Sequence, residues 1–370
     1  MVAFASGVLA GTALADPPAT ITSWISQEEI YGPGFQTQMA GGAIVDNYMF
    51  CVGGNNGTDG DTARTWSWQI NTLNGLLLSV QAGPDLPTAA NFAYLMNTVT
   101  ATDSHIYIWG GGWNSAGPNR DNVTFNTHSN GNYGPTWQTS AQFPTTPALY
   151  DPELGASVIV GDYLYGFGGD GSVTPLFDRC HYAQINPDGT LGAFQTGTTL
   201  PNPWWFSAVA TVGDYIIAAP GIINTASSAN ATNDIYICQV NPVTGAMGAW
   251  TAGPDLPAER YGMSMVAVSG EVFAVGGRPL GGGAGQTNVW RATFDEGTGT
   301  LGAWQTVDAQ LPAGVYYHQL AYSPTSRRLY IFSIRQGLPA DFNVSGEVMI
   351  SSELFPPPAV TGVEEFSIYR

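Results

Sequence analysis

The sequence predicts an all-β protein, a six-bladed β-propeller of four-stranded blades, and three observations support this prediction. The 370 residues include 47 Gly and 25 Pro but only 10% charged residues, a composition that favours strands and loops over helices. No stretch sustains apolar residues at helical spacing. Two independent sets of markers recur about every 56 residues, and a fixed period of this length is typical of repeat architectures such as propellers.

The first set of markers consists of apolar runs that close on glycine. These runs are Met49–Gly54, Ile106–Gly112, Tyr163–Gly169, Tyr215–Gly221 and Val272–Gly277, and a sixth, Leu329–Ser333, lacks the glycines. One position in each run serves as the marker, namely Gly53, Gly110, Gly168, Pro220, Gly276 and Phe332. The steps between these positions are 57, 58, 52, 56 and 56 residues.

The second set consists of large apolar residues, most of which shortly precede a proline. Its positions are Trp24, Val80, Trp137, Phe194, Trp250 and Trp304, with steps of 56, 57, 57, 56 and 54 residues. Because two independent sets keep the same period, the sequence indicates six copies of one unit.

Each unit is interpreted as four short strands, a to d. Met263–Val268 is an example of strand a, and Ile235–Asn241 is an example of strand c. A Gly-Asp or Ser-Gly turn joins strand a to strand b, and a Gly-, Asn- and Ser-rich loop joins strand b to strand c. A turn such as Asn186–Gly189 then leads to strand d, which carries the second marker.

The phase of the repeat predicts how the ring closes. Trp24 is a strand-d marker with no strands a to c before it, whereas Gly346–Glu353 is interpreted as a strand c with no strand d after it. The segment Ile21–Gln27 is therefore expected to pair with the C-terminal strand and complete the last blade. Such closure removes exposed sheet edges.

The predicted propeller spans residues 19–358, between two flanking segments. Its parts are the closing strand within residues 19–33 and blades at residues 37–87, 88–145, 146–201, 202–257, 258–312 and 313–358. Residues 1–18 are interpreted as an apolar arm or a signal-like segment, because Ala13-Leu14-Ala15 resembles a cleavage site although no basic residue precedes it. Residues 359–370 form a C-terminal tail.

The charge balance excludes several classes of partner. The chain has 28 acidic residues against 10 basic ones, all of them arginine, for a net charge of -18. This charge argues against binding to nucleic acid or to an anionic membrane surface, because phosphate groups would repel it. No apolar run reaches the eighteen or so residues that a membrane span needs.

Cysteine and acidic side chains give weak signals for metal binding. Cys51, Cys180 and Cys238 lie in strand-like runs and are predicted to be buried free thiols rather than disulfides. Asp59 and Asp61 lie in a Gly- and Asn-rich loop that could hold Ca²⁺, although a solvated turn is the simpler interpretation. No other metal or cofactor is predicted.

Several residues resemble the signature of a known family. Glycine pairs follow strand b at Gly53-Gly54, Gly168-Gly169 and Gly276-Gly277. Arg260 lies three residues before Met263, and His318 takes the equivalent place in the sixth unit. With these residues the chain resembles the Kelch family of β-propellers, in a bacterial or viral variant whose ring is similar to the central propeller of galactose oxidase. Pro220-Gly221 and the glycine-free sixth unit depart from the pattern. The resemblance implies the fold and says little about function.

A binding face is predicted where the b–c loops and the d–a crossovers emerge together. The candidate residues in these segments are Arg64, Arg120, Arg179, Arg278, Arg335, Arg260, Trp204, Trp205, Tyr261, Tyr316, Tyr317 and His318. Arginines supply forked donors for carboxylates and aromatic faces stack on sugar rings, so the set suits a glycan or an acidic peptide. The alternative is structural: these arginines tie neighbouring blades together through Asp59, Asp61, Asp121 or Asp178.

Two classes of function follow from this face. The favoured hypothesis is a non-catalytic propeller on a virion surface or in the extracellular space, most concretely a bacteriophage virion appendage or decoration protein. Its partner would be a neighbouring subunit or a host-surface glycan, within a homo-oligomer or a larger assembly. The alternative is a secreted or cell-surface carbohydrate-active enzyme, an oxidase, a sialidase-like enzyme or a sugar isomerase, that uses the same face.

Overall fold

The computed structural model describes residues 19–27, 40–54, 63–87, 98–110, 122–141, 143, 155–169, 178–225, 228–281, 283–336, 343–344 and 347–355. Within these ranges every regular element is a β-strand, which confirms the all-β prediction. The same ranges contain no helix that is long and apolar enough to cross a membrane.

The strands of the first half of the chain are β1 (Trp24–Gln27), β2 (Gly41–Val45), β3 (Tyr48–Val52), β4 (Thr65–Ile70), β5 (Leu77–Ala82), β6 (Thr98–Ala101), β7 (His105–Trp109), β8 (Val123–Ser129), β9 (Asn132–Tyr133), β10 (Gln138–Thr139), β11 (Ala156–Val160), β12 (Tyr163–Phe167), β13 (Cys180–Gln184) and β14 (Gln195–Thr196). Those of the second half are β15 (Trp204–Trp205), β16 (Ala208–Val212), β17 (Tyr215–Ala219), β18 (Ile222–Thr225), β19 (Ser228–Ala231), β20 (Tyr236–Val240), β21 (Met247–Ala252), β22 (Tyr261–Val268), β23 (Glu271–Arg278), β24 (Val289–Asp295), β25 (Thr300–Leu301), β26 (Gln305–Thr306), β27 (Gln319–Ser323), β28 (Arg328–Phe332), β29 (Arg335–Gln336), β30 (Asn343–Val344) and β31 (Val348–Ser351).

These strands form small antiparallel sheets that follow one another along the chain. The larger ones are sheet 1 (β2-β3-β4-β5), sheet 2 (β6-β7-β8-β10, with β9 also on β8), sheet 3 (β11-β12-β13-β14), sheet 4 (β16-β17-β20-β21), sheet 5 (β22-β23-β24-β25, with β26 also on β24) and sheet 6 (β27-β28-β31-β1). Two smaller sheets, β15-β18-β19 and β29-β30, lie outside this series. Many small antiparallel sheets of this kind are compatible with a β-propeller-like fold.

Sheet 6 joins the two ends of the described chain. Strand β1 pairs antiparallel with β31, so that Trp24 lies opposite Ser351 and Gln27 lies opposite Val348. The backbone N–H of Thr20 also donates to the carbonyl of Leu354 at 3.1 Å. This is the pairing that the phase of the repeat predicts.

Apolar clusters lie between consecutive sheets. Each cluster combines side chains of two sheets, such as Phe50 with Ile108, Tyr107 with Leu164, Tyr165 with Ile216, Ile217 with Ala274, Phe273 with Ile331, and Phe332 with Trp68. The second strand of each sheet, such as β7 or β12, is buried on both faces because it has a neighbouring sheet on either side. This double burial explains why strand b reads as a continuous apolar run rather than an alternating one.

The first strands of the six sheets contact one another in order. Strand β2 contacts β6, β6 contacts β11, β11 contacts β16, β16 contacts β22, β22 contacts β27, and β27 contacts β2 again. The N-terminal ends of these strands line a cavity of about 180 Å³.

Sheet 6 keeps the backbone conformation of the glycine signature without the glycine. The residue that follows the repeat marker has a positive φ at Gly54 (95°), Gly169 (119°), Gly221 (77°) and Gly277 (78°), and Ser333, which follows the marker Phe332, has a φ of 55°. Left-handed backbone is unfavourable for residues with a Cβ. The Ser333 Oγ lies 3.4 Å from the Cys51 Sγ, a contact between sheets 6 and 1.

Substitutions at Ser333 should reveal this backbone constraint. We expect Ser333→Val to lower the free energy of unfolding by about 2 kcal/mol or more, since a β-branched residue is poorly tolerated at positive φ. Ser333→Gly should stay within about 1 kcal/mol of wild type, because the relieved strain offsets the added chain entropy and the lost contact. Denaturant unfolding of both variants measures this; equal stability of the two would contradict it.

The contribution of the N-terminal segment is tested by a pair of matched substitutions. Ile21 is buried between sheets 5 and 6, whereas Ile25 on β1 is 45% exposed. We expect Ile21→Thr to cost about 2 to 3 kcal/mol of unfolding free energy, from lost packing and a buried hydroxyl. Ile25→Thr should cost less than about 1 kcal/mol. Thermal and urea unfolding measure both differences. Equal stability of the two variants would contradict the role assigned to the N-terminal segment.

Candidate functional site

Three crossovers bring aromatic side chains together beside sheets 4, 5 and 6. Phe206, Tyr261 and Tyr317 lie within 4.8 to 6.0 Å of one another between ring centroids, and the Tyr316 ring lies 4.9 Å from that of Tyr317. Ile222 and Ala231 of the small sheet β15-β18-β19 pack against Phe206 and Tyr261. We call Phe206, Tyr261, Tyr316 and Tyr317, together with Arg260 and Arg278, the arginine–aromatic cluster.

Arg278 is the most buried cation of this cluster. It ends β23, pairs with Tyr261 across the strands and is only 7% exposed. Its guanidinium carbon lies 5.2 Å from the Tyr261 ring and 5.0 Å from the Tyr316 ring, which are cation–π distances. The buried Nε has no hydrogen-bond partner among the described residues.

Arg260 lies on the adjoining crossover into β22. Its guanidinium carbon is 5.3 Å from the Trp290 ring, and one Nη donates to the Glu259 carbonyl at 2.7 Å. Partial burial lowers the pKa of Arg260 below its usual value, and its Nε has no partner among the described residues.

Neither cation has a carboxylate partner in the described part of the chain. The ion pairs found there join Arg179 to Asp178, and Arg327 and Arg328 to Glu353. A desolvated guanidinium without a counter-charge is costly, and cation–π contacts offset only part of that cost. The cluster can therefore donate charge-assisted hydrogen bonds to an anionic ligand.

The aromatic side of the cluster depends on unusual backbone. Phe206 and Tyr317 have φ values of 53° and 51°, and their rings stack at 4.8 Å and 23°. Gly262, the second residue of β22, is also at positive φ, and its carbonyl accepts from the Tyr317 N–H at 2.7 Å. A Cβ at Gly262 would lie 2.5 Å from the Tyr317 ring, so glycine makes room for this stack.

The two tryptophans of the β15 crossover differ in burial. Trp204 is 2% exposed and packs edge-on against Tyr236 and Trp250 in the core between sheets 3 and 4. Trp205 is half-buried, with its ring 4.9 Å from Phe206. Trp205 thus borders the arginine–aromatic cluster, whereas Trp204 lies in the core.

The other predicted arginines lie elsewhere. Arg64 is exposed next to β4, and Arg335 lies in β29 opposite Val344. Arg179 pairs with its exposed sequence neighbour Asp178 at 3.4 Å, so this ion pair does not tie two sheets together, and an exposed pair stabilises little. Arg120, Asp59, Asp61 and Asp121 fall outside the described residues.

His318 follows Tyr317 in the chain but is not part of the arginine–aromatic cluster. It is 3% exposed and lines the cavity between the first strands. Neither ring nitrogen has a hydrogen-bond partner among the described residues, and burial lowers the pKa of His318 to about 3. The imidazole is therefore neutral at pH 7.

The structure adds residues that the sequence reasoning did not select. Trp290 lies under Arg260, and Ser207 and Ser264 line the cavity beside His318. A serine within an otherwise apolar strand a, as in Met263-Ser264-Met265, is a signal that could have found Ser264. Because alternate residues of a strand face opposite sides, the serine faces away from the side that its apolar neighbours face.

The described residues include three buried thiols but no group of side chains arranged for a metal ion. Cys51, Cys180 and Cys238 are buried and form no disulfide with one another, which confirms the prediction of buried thiols. Within the described ranges no group of three His, Cys, Asp or Glu side chains is arranged to hold a metal ion.

Two buried histidines should make stability depend on pH. Burial lowers the pKa of His318 to about 3 and that of His181 to about 4, from an ordinary value of 6.5. The unfolded chain then binds protons that the folded chain does not, so this stabilisation is complete above pH 6.5 and is lost as the pH falls below it. The expected slope is at most about 1.4 kcal/mol per pH unit for each histidine.

Unfolding free energies of wild type, His181→Gln and His318→Gln between pH 7 and pH 5 provide the test. The stability advantage of wild type over each variant should shrink as the pH falls. Phe273→Leu removes a core contact but no titrating group, so its difference from wild type should stay constant. If the difference in unfolding free energy between wild type and a histidine variant also stayed constant with pH, the assignment of that histidine as neutral in the folded protein would be wrong.

Comparison with models of known protein families finds none that matches the chain, and comparison with curated proteins also finds no match. The described structure is an all-β protein of small antiparallel sheets, compatible with a β-propeller-like fold. The Kelch resemblance remains a proposal.

Proposed function

We propose that the chain is a six-bladed propeller of the Kelch type, with sheets 1 to 6 as its blades. Three observations support this proposal. The first strands contact one another in a cyclic order that returns to β2, apolar clusters join each sheet to the next, and β1 completes sheet 6 beside β31. The positive φ that recurs after the repeat marker, from Gly54 to Ser333, adds a local signature.

We further propose that this propeller is a non-catalytic binding module on an exposed surface. In its most concrete form it is a bacteriophage virion appendage or decoration protein that binds a neighbouring subunit or a host-surface glycan. The net charge of -18 and the absence of lysine from the sequence support the proposal of a protein exposed outside the cell.

The observation that carries the proposal is the arginine–aromatic cluster. It combines the buried Arg278 and the partly buried Arg260, neither of which has a carboxylate partner in the described chain, with four packed aromatic rings. Interface hot spots are enriched in arginine and tyrosine. Arginine and aromatic side chains held in fixed positions by the sheets can bind a ligand, and binding of this kind needs no catalytic group.

The experiment is a glycan array probed with the full-length protein, followed by an assay for product on every glycan that binds. Arg278→Met should weaken binding at least tenfold, since a charge-assisted hydrogen bond contributes about 1.5 to 3 kcal/mol. Arg291→Met is the matched control, because the Arg291 guanidinium donates to the Ala19 carbonyl away from the cluster. Binding that Arg278→Met leaves unchanged would contradict the proposed site.

Two further outcomes separate the classes of function. If the protein forms product from a bound glycan and Arg278→Met abolishes that reaction, the protein is a carbohydrate-active enzyme rather than a binding module. The virion assignment is tested separately by mass spectrometry of purified phage particles, in which the chain should be present at a fixed copy number. If the chain were absent from all such particles, the virion assignment would be wrong. The glycan array would then remain the test of the surface-binding proposal.

A further inference from the structure

A second candidate site lies in the cavity between the first strands, next to the arginine–aromatic cluster, with which it shares Phe206 and Tyr317. The cavity measures about 180 Å³, and residues at or near the N-terminal end of each of β2, β6, β11, β16, β22 and β27 contribute to its wall. A cavity measured in this way needs about 10 to 15 Å³ to hold one water molecule, so this one has room for several. We call it the axial cavity.

Most hydroxyl groups in its wall are already paired with neighbouring strands. The Oγ1 of Thr98 and the Oγ of Ser157 lie 2.6 Å apart, which links β6 to β11. The Ser264 Oγ donates to the backbone carbonyl of His318 at 2.6 Å, which links β22 to the start of β27. These hydroxyl groups hold the wall together.

Three polar atoms in the wall are left without partners among the described residues. They are the Ser207 Oγ and the Nδ1 and Nε2 of His318, all of them buried. Buried polar groups in native proteins are nearly always hydrogen-bonded, and leaving one unpaired costs about 1 to 3 kcal/mol. Three such atoms on one small cavity therefore indicate an occupant that supplies both donors and acceptors.

The wall selects against charged occupants. Among the described residues that line the cavity there is no Asp, Glu or Arg, and the sequence has no lysine. An ion against this wall would lack a counter-charge from the described lining residues, which is unfavourable where it loses its water shell. The neutral His318 ring donates from one nitrogen and accepts at the other, which matches hydroxyl groups.

Aromatic faces complete the wall. Phe206 and Tyr317, stacked on each other, both line the cavity beside Ser207 and His318. Their left-handed backbone places these rings at the crossovers where the cavity begins. An occupant with apolar C–H faces as well as hydroxyl groups fits such a wall better than water alone.

We propose that the axial cavity binds a small uncharged ligand that carries several hydroxyl groups. Ser207 and His318 would hold its hydroxyls, and Phe206 and Tyr317 would contact its carbon skeleton. The two sites share Phe206 and Tyr317, but Arg260 and Arg278 do not line the cavity, and Ser207 and His318 are not part of the arginine–aromatic cluster. Variants of the unshared residues therefore test each proposal without the other.

The test uses NMR of the full-length protein labelled with ¹³C and ¹⁵N in histidine. The chain has four histidines, so the ring signals are few, and His318→Gln identifies the signal of His318 by its loss. Glycerol and glucose are the hydroxyl-bearing probes, acetate is the charged probe and benzene is the apolar probe. We expect glycerol or glucose to shift the His318 signal saturably and to leave those of His105, His128 and His181 in place.

Variants locate the binding. Ser207→Ala should weaken binding of the hydroxyl-bearing probe roughly tenfold, as expected for one lost hydrogen bond. Ser323→Ala is the matched control, because Ser323 is a buried serine of β27 that bonds the Asp46 carbonyl and does not line the cavity. Arg278→Met should also leave this signal unchanged, which separates the axial cavity from the arginine–aromatic cluster.

Several outcomes would overturn the proposal. If neither hydroxyl-bearing probe shifts the His318 signal saturably, the cavity holds water alone. Saturable binding of acetate or benzene in preference to glycerol and glucose would show that the assigned ligand class is wrong. Equal binding to Ser207→Ala and Ser323→Ala would place the ligand elsewhere.

Discussion

Packing of each sheet between two neighbours is the constraint on which the rest of this structure depends. A strand such as β12 is buried along its whole length because apolar clusters lie on both of its faces. One sheet of four short strands cannot bury both faces alone, so it is stable only between neighbours. The N-terminal segment matters for the same reason, since Ala19 and Ile21 complete the cluster between sheets 5 and 6.

Both candidate sites are consequences of this packing. The first strands are held close together, so their N-terminal ends enclose the axial cavity, and the crossovers that feed three of them bring the aromatic rings together. Strain is tolerated at Phe206 and Tyr317 because the sheets on either side fix the crossovers. The sites thus have rigid walls, which lowers the entropy that a ligand must give up on binding.

The electrostatics of the two sites differ although they are neighbours. Arg260 and Arg278 lie beside aromatic faces and lack acidic partners in the described chain, in a protein whose acidic residues outnumber its basic ones 28 to 10. His318 is neutral because its burial in the wall of the axial cavity disfavours the imidazolium ion. One site therefore suits an anionic ligand and the other an uncharged one.

The sequence by itself determined the strand content, the period of the sheets and the pairing of β1 with β31, because these depend on local composition and on the phase of a repeat. It also selected Arg260, Arg278, Tyr261, Tyr316 and Tyr317. Only the tertiary structure decided that Trp204 lies in the core, that Arg179 pairs with Asp178, and that Ser207 and His318 share a cavity. Burial and side-chain partners depend on how different segments of the chain pack in space, and a period fixes which segments are equivalent without fixing which side chains meet.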